Sequence, residues 1–195
     1  MLYPTDTVPA IGCDLQSKRA IERVRQIKRL SNEKPLTFLC SSLSNITDYA
    51  IVSDEAYRLM KRLIPGPYTF LLPPTKDVPK LVQNPKRRTT GIRVPDDSLC
   101  QALVQGLGNP IISTSANLSN QTNSADWDEM DGQAYGSAAE WFDRFEPLVD
   151  LVIDHGQLFD QPLATDVSTI IDLTGSEAEI VREGRGIEAA LAWLA

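Results

Sequence analysis

Two rhythms of apolar positions run through this chain. In the first, apolar residues recur every three or four positions. Ala20, Ile21, Val24, Ile27 and Leu30 form one stripe behind Ser17, which predicts a helix capped by Ser17 and running to about Arg29. Further helices are predicted over Ser44–Tyr49, Ser53–Leu63, Ala138–Phe145, Ile187–Leu194 and Ser98–Leu107, the last closed by Gly108. In the second rhythm, short apolar runs are bounded by proline. Leu36–Cys40 follows Pro35, Tyr68–Leu72 lies between Pro65-Gly66-Pro67 and Pro73-Pro74, Thr90–Val94 precedes Pro95, and Pro110–Ser113 follows another helix end. These read as strands, as do Leu151–Asp154, Ser168–Leu173 and Glu179–Val181. Leu2-Tyr3 reads as the tail of a strand and Pro4-Thr5-Asp6-Thr7 as the loop that leaves it. Strands and helices alternate irregularly, which predicts an α/β domain with a mixed sheet. Residues 118–137, rich in Asn, Ser, Asp and Gly, read as a long loop or insertion. No internal repeat or interdomain linker interrupts the pattern.

Composition narrows the class. A chain of 195 residues with 42% apolar and 23% charged residues suits a single globular domain. No run approaches the ~20 apolar residues of a membrane span, and no basic-then-apolar leader opens the sequence. Cys13, Cys40 and Cys100 are far apart and form no CxxC, the pattern of packed thiols in a reducing cytoplasm rather than of a disulfide or zinc framework. A net charge of −7 argues against a general nucleic-acid coat. The cations are nonetheless clustered. Lys18, Arg19, Arg23, Arg25, Lys28, Arg29 and Lys34 face only Glu22 and Glu33, and Lys86-Arg87-Arg88 is a second group. Local focusing toward an anion is one reading of such clusters; for Lys18 to Arg25 a solvated helix face is the plainer one.

Familiar catalytic signatures are missing: there is no P-loop, no GxGxxG and no GxSxG elbow. His155, the only histidine, sits in Asp154-His155-Gly156 and reads as a turn residue. What remains is a set of loops at strand ends that carry small hydroxyls and cations. They are Pro4-Thr5-Asp6-Thr7, Ser113-Thr114-Ser115-Ala116-Asn117 and Arg182-Glu183-Gly184-Arg185-Gly186. Hydroxyls and amides orient a polar ligand, arginine and lysine neutralise phosphates or carboxylates, and glycine lets backbone approach closely.

Seven blocks in order resemble the YrdC/YciO family, which includes the threonylcarbamoyl-AMP synthases. They are Tyr3 to Thr7, Lys28 to Leu36, Leu63 to Thr69, Gly91 to Asp96, Ser113 to Asn117, Ser168 to Asp172 and Val181 to Gly184. The resemblance implies a single YrdC-like domain over residues 1–195, with a mixed twisted sheet around a large positively lined cavity. It also implies a helix and an apolar strand ahead of Tyr3, which Met1-Leu2 replaces here. The chain is therefore expected to lack the family's N-terminal helix and part of its first strand, or to begin downstream of the true start. The implied activity is that of an L-threonylcarbamoyladenylate synthase, a nucleotidyltransferase acting on ATP, threonine and bicarbonate, with Mg²⁺ accompanying the nucleotide. The product feeds threonylcarbamoyladenosine modification of tRNA.

Site residues follow from the same resemblance. Lys28, Arg93, Ser115 and Asn117 are expected in catalysis. Lys28, Lys34, Thr89, Asn117 and Arg182 are expected at ATP, and Thr7, Arg93, Ser115 and Ser168 at threonine. No metal-ligating residue is assigned. Two positions depart from the family. Its Lys-x-Arg appears as Lys28-Arg29-Leu30, and its histidine in the next strand is replaced near Leu39. Both departures place the chain nearer the YciO branch and keep two alternatives open: a nucleotide- or RNA-binding paralogue with little or no synthase activity, and a carbamoyl-transfer partner. Transfer RNA and double-stranded RNA are the candidate nucleic-acid partners; no membrane partner is expected. Lys86-Arg87-Arg88 has no interleaved aromatic residues, so base stacking is not signalled. RNA binding is therefore expected to be electrostatic and to weaken steeply between low and physiological salt in a filter-binding titration, with little preference among sequences.

Overall fold

The computed structural model describes residues 1–30, 35–84, 86–116, 143–153 and 166–194. Its strands are β1 (Leu2–Tyr3), β2 (Ala10–Asp14), β3 (Thr37–Leu39), β4 (Tyr68–Leu72), β5 (Thr90–Arg93), β6 (Ile111–Ser115), β7 (Thr169–Asp172) and β8 (Glu179–Arg182). Among the described residues they form one sheet in the order β1-β2-β6-β3-β5-β4-β7-β8. β3 runs parallel to β5 and β4 to β7, while the other pairs are antiparallel, so the sheet is mixed. The helices α1 (Lys18–Ile27), α2 (Asp54–Leu63), α3 (Ser98–Leu107) and α4 (Ile187–Leu194) complete an α/β domain. Lys34, Asn117, the 118–137 insertion and His155 lie outside the described residues.

Register explains which face is the core. Directly paired residues run across the sheet as Cys13–Ile112–Phe38–Ile92–Phe70–Ile171. Paired residues share a face, so these six side chains form one apolar rung. They join Ile21 and Val24 of α1 and Ala56, Met60 and Leu63 of α2 in the main core. Neighbours along each strand point the other way. That opposite face carries Gly12, Ser113, Thr37 and Gly91 in a second rung. One end of it is closed by α3, where Cys100 and Val104 pack on Tyr3, Ala10, Leu39 and Ile111. The middle is left polar and becomes the site. Burial pushes the Cys13 and Cys40 thiols up to about 12, as expected of inert packed cysteines.

The caps follow the sequence closely. Ser17, Ser53 and Asp97 each accept a backbone N–H in the first turn of α1, α2 and α3. Gly108 ends α3 in the left-handed region at φ 78°. The segment read as a helix over Ser44–Tyr49 is a 3₁₀ helix at Leu43–Asp48, capped by Ser42. Two readings are corrected. Lys18 to Arg25 is not wholly a solvated face: Arg25 is 6% exposed and turns inward, where its Nε donates to the Leu81 carbonyl at 2.9 Å. Strand β2 had no counterpart in the sequence reading, because a central glycine weakens a strand signal. A Cβ on Gly12 would lie 2.9 Å from the Ile112 carbonyl oxygen and 2.8 Å from Ile111 Cγ2. The strand therefore accepts glycine because β6 and Tyr3 press against it. Gly12→Ala is expected to destabilise the protein by about 1–3 kcal/mol through overpacking, read as a lower denaturation midpoint with an unchanged slope.

Candidate active site

The site grows from the loop between β1 and β2. Thr5 Oγ1 accepts from the Thr7 N–H at 3.0 Å and donates to the Val8 carbonyl at 2.9 Å. This local turn fixes Thr7, which is 2% exposed. The neighbouring Asp6 turns its carboxylate to Arg93 at the end of β5, and the two form a part-buried ion pair. On the far side, Ser168 Oγ lies 2.9 Å from Thr69 Oγ1 of β4. Arg182 of β8 donates from Nη2 to the Ser168 carbonyl at 2.7 Å and to its hydroxyl at 3.1 Å. The crossing of these chains needs glycine, since a Cβ on Gly184 would lie 2.4 Å from the Val167 carbonyl oxygen.

Between these groups lies a cleft open to solvent. Thr7, Thr69, Arg93, Ser113, Ser115, Ser168 and Arg182 line it beside Val8, Ala10, Leu39 and Ile170. Its floor is stiffened by Tyr3, whose hydroxyl donates to Ser113 Oγ at 2.7 Å; burial raises that phenol well above its usual range. Arg93 Nε is buried and has no hydrogen-bond partner among the described residues. Such a cleft can seat a small polar ligand with a carboxylate, its charge met by arginine and its other polar groups by hydroxyls.

Of the residues expected from the sequence, Thr7, Arg93, Ser115, Ser168 and Arg182 meet in this cleft. Lys28 and Thr89 are each 3% exposed and are not among its lining residues. Lys34 and Asn117 are not described. Asp6, Thr69 and Arg185 were assigned no role from the sequence. Their part comes from contacts between segments about ninety or more residues apart, Asp6 with Arg93 and Asp96, Thr69 with Ser168, and Arg185 with Asp6, and no spacing rule reports these.

The departure at Leu30 has a structural account. Arg29 adopts φ 50°, and the Arg29 and Leu30 N–H groups bond back to the Gln26 and Arg25 carbonyls at 3.1 and 2.9 Å. This is a Schellman end to α1, in which the residue after the left-handed one makes an apolar contact. Leu30 fills that role and packs against the main core.

The fold and cleft define an α/β domain that gathers hydroxyls and arginines at one cleft. Residues 1–184 match the profile of the Sua5/YciO/YrdC family, described as "Telomere recombination", and the chain belongs to that family. It is 40% identical to the uncharacterized protein YciO of Escherichia coli (strain K12) over 186 residues, which are 95% of this chain and 83% of YciO. The crystal structure of E. coli YciO matches with a TM-score of 0.76 over 95% of this chain and 82% of that one. Human threonylcarbamoyl-AMP synthase is 32% identical over 98% of this chain and 64% of its own length. P. abyssi Sua5 complexed with L-threonine matches with a TM-score of 0.79 at 25% identity, over 99% of this chain and 54% of that one.

The end of α1 gives a direct test. An L-residue in the left-handed region is strained, and a β-branched one more so. Arg29→Gly is expected to raise stability by less than about 1 kcal/mol, while Arg29→Val lowers it by more than about 1 kcal/mol, in parallel urea titrations.

Proposed function

We propose that this protein makes threonylcarbamoyl-AMP from threonine, bicarbonate and ATP, for threonylcarbamoyladenosine modification of tRNA in the cytoplasm. The observation that carries the reading is the cleft. It joins Arg93, whose buried Nε has no partner among the described residues, to a group of hydroxyls, in a fold shared with a Sua5 complexed with L-threonine.

In this reading Arg93 takes the amino acid's carboxylate, while Thr7, Ser115 and Ser168 meet its polar groups. Lys28, Lys34, Thr89, Asn117 and Arg182 serve the nucleotide. The threonine amine adds to the carbon of bicarbonate, and loss of water gives a carbamate. A carbamate oxygen then attacks the α-phosphorus of ATP, and the bond from that phosphorus to the pyrophosphate oxygen breaks. Alignment of the two substrates and neutralisation of charge are the protein's share of the work. Mg²⁺ enters with the triphosphate as part of the substrate. Among the described residues, no cluster of three or more His, Cys, Asp or Glu side chains is placed to hold a metal ion.

A nucleotide- or RNA-binding role with little synthase activity is the second reading. Leu30 favours it, since it packs against the core where the family resemblance implies an arginine. Identity is also higher with the uncharacterized YciO than with the human synthase.

Incubation with ATP, Mg²⁺, bicarbonate and labelled threonine separates the two. The synthase reading expects a labelled adenylate and threonine-dependent release of pyrophosphate. ATP binding without either product supports the second. Arg93→Ala is expected to weaken threonine about 10- to 100-fold by calorimetry, the loss of a charge-assisted hydrogen bond of roughly 1.5–3 kcal/mol.

A further inference from the structure

Asp6 ties together three segments that are distant in sequence. Its Oδ1 pairs with Arg93 Nη2, and its Oδ2 accepts from the Asp96 backbone N–H at 3.0 Å. Its carbonyl accepts from Arg185 Nη1 at 2.6 Å. The Asp6 and Arg93 side chains are 8% and 11% exposed. A guanidinium on a flexible stem samples many rotamers. One paired with a carboxylate that a backbone N–H anchors in turn is held in one plane.

The plane chosen does not satisfy Arg93 itself. Its Nε stays buried without a partner among the described residues, a costly arrangement for a donor. The neighbours therefore impose the orientation. Asp6 takes one Nη2 hydrogen of a residue that lines the cleft.

We propose that Asp6 is the positioning residue of the cleft. It fixes the plane of the Arg93 guanidinium, so that the part of it lining the cleft meets a ligand carboxylate in one orientation. Asp6 does not touch the reacting atoms; it acts through Arg93. Only the identity of the ligand, L-threonine, rests on the function proposed above.

The test uses the full chain labelled with ¹⁵N-arginine. The Arg93 Nε–Hε cross-peak is assigned by its loss in Arg93→Lys. In the native protein it is expected apart from the exposed arginines, with slow proton exchange. Asp6→Ala is expected to move it among them and speed exchange at least tenfold. Asp6→Asn, which keeps an acceptor but no charge, is expected to fall between and carries the test if Asp6→Ala does not fold. Titrated threonine is expected to shift the native peak and to bind Asp6→Ala at least tenfold more weakly, with ATP affinity changed less than twofold. In an Arg93→Lys background, removal of Asp6 should not weaken threonine further. An Arg93 peak indifferent to Asp6, or a parallel loss of threonine and ATP affinity, overturns the proposal. A peak that responds to Asp6 in a native protein that ignores threonine supports the positioning role and overturns the threonine reading instead.

Discussion

The row of side chains from Cys13 through Ile112, Phe38, Ile92 and Phe70 to Ile171 decides the rest of this molecule. It crosses six strands and faces α1 and α2. Pleating turns the next residue of every strand the opposite way. Burying this row therefore forces Gly12, Ser113, Thr37 and Gly91 onto the other face. A slip of one residue in β3, β4 or β6 would drive Thr37, Thr69 or Ser113 into the core and turn Phe38, Phe70 or Ile112 toward the cleft. The positions of the cleft's polar groups are thus set by hydrophobic packing on the opposite side of the sheet.

On the polar face, the strands supply a floor of hydroxyls, and the strand ends with the β1–β2 loop supply the charges. Thr69, Ser113 and Ser115 stand on strands, with Ser168 at the start of β7. Asp6 lies between β1 and β2, Arg93 ends β5, and Arg182 ends β8. Each of these charged residues is set by hydrogen bonds to a different part of the chain. Rigid strands bearing neutral hydroxyls, with charged groups tied across strand ends, give a cleft whose shape and field have separate structural sources.

Much of this was readable in the sequence, and the exceptions share a cause. Proline and glycine mark the ends of β4, β5 and α3, and serine or aspartate marks the starts of α1, α2 and α3, so local chemistry was enough to place them. β2 escaped because its glycine answers to Ile111 and Ile112, residues remote in the chain. Arg25 looked like a surface charge because nothing near it announces the Leu81 carbonyl. The segments carrying Thr7, Ser115 and Arg182 were visible as hydroxyl-rich or basic blocks, while Ser168 came only from the family resemblance. Their convergence, and the roles of Asp6 and Arg185, depend on closure between distant segments.

The two ends of the sheet bear on how the protein behaves in company. Beyond β1 the strand edge is already taken: the Leu2 N–H donates to the Leu151 carbonyl and the Ile153 N–H to the Leu2 carbonyl, both at 2.9 Å. At the other end β8 is four residues long, begins with Glu179, closes with Arg182, and pairs with β7 through a register irregularity between Ile170 and Ile171. Short length, a kinked register and charge at both termini make a poor template for a foreign strand. Both margins thus discourage the edge-to-edge growth by which an open sheet recruits further copies of itself.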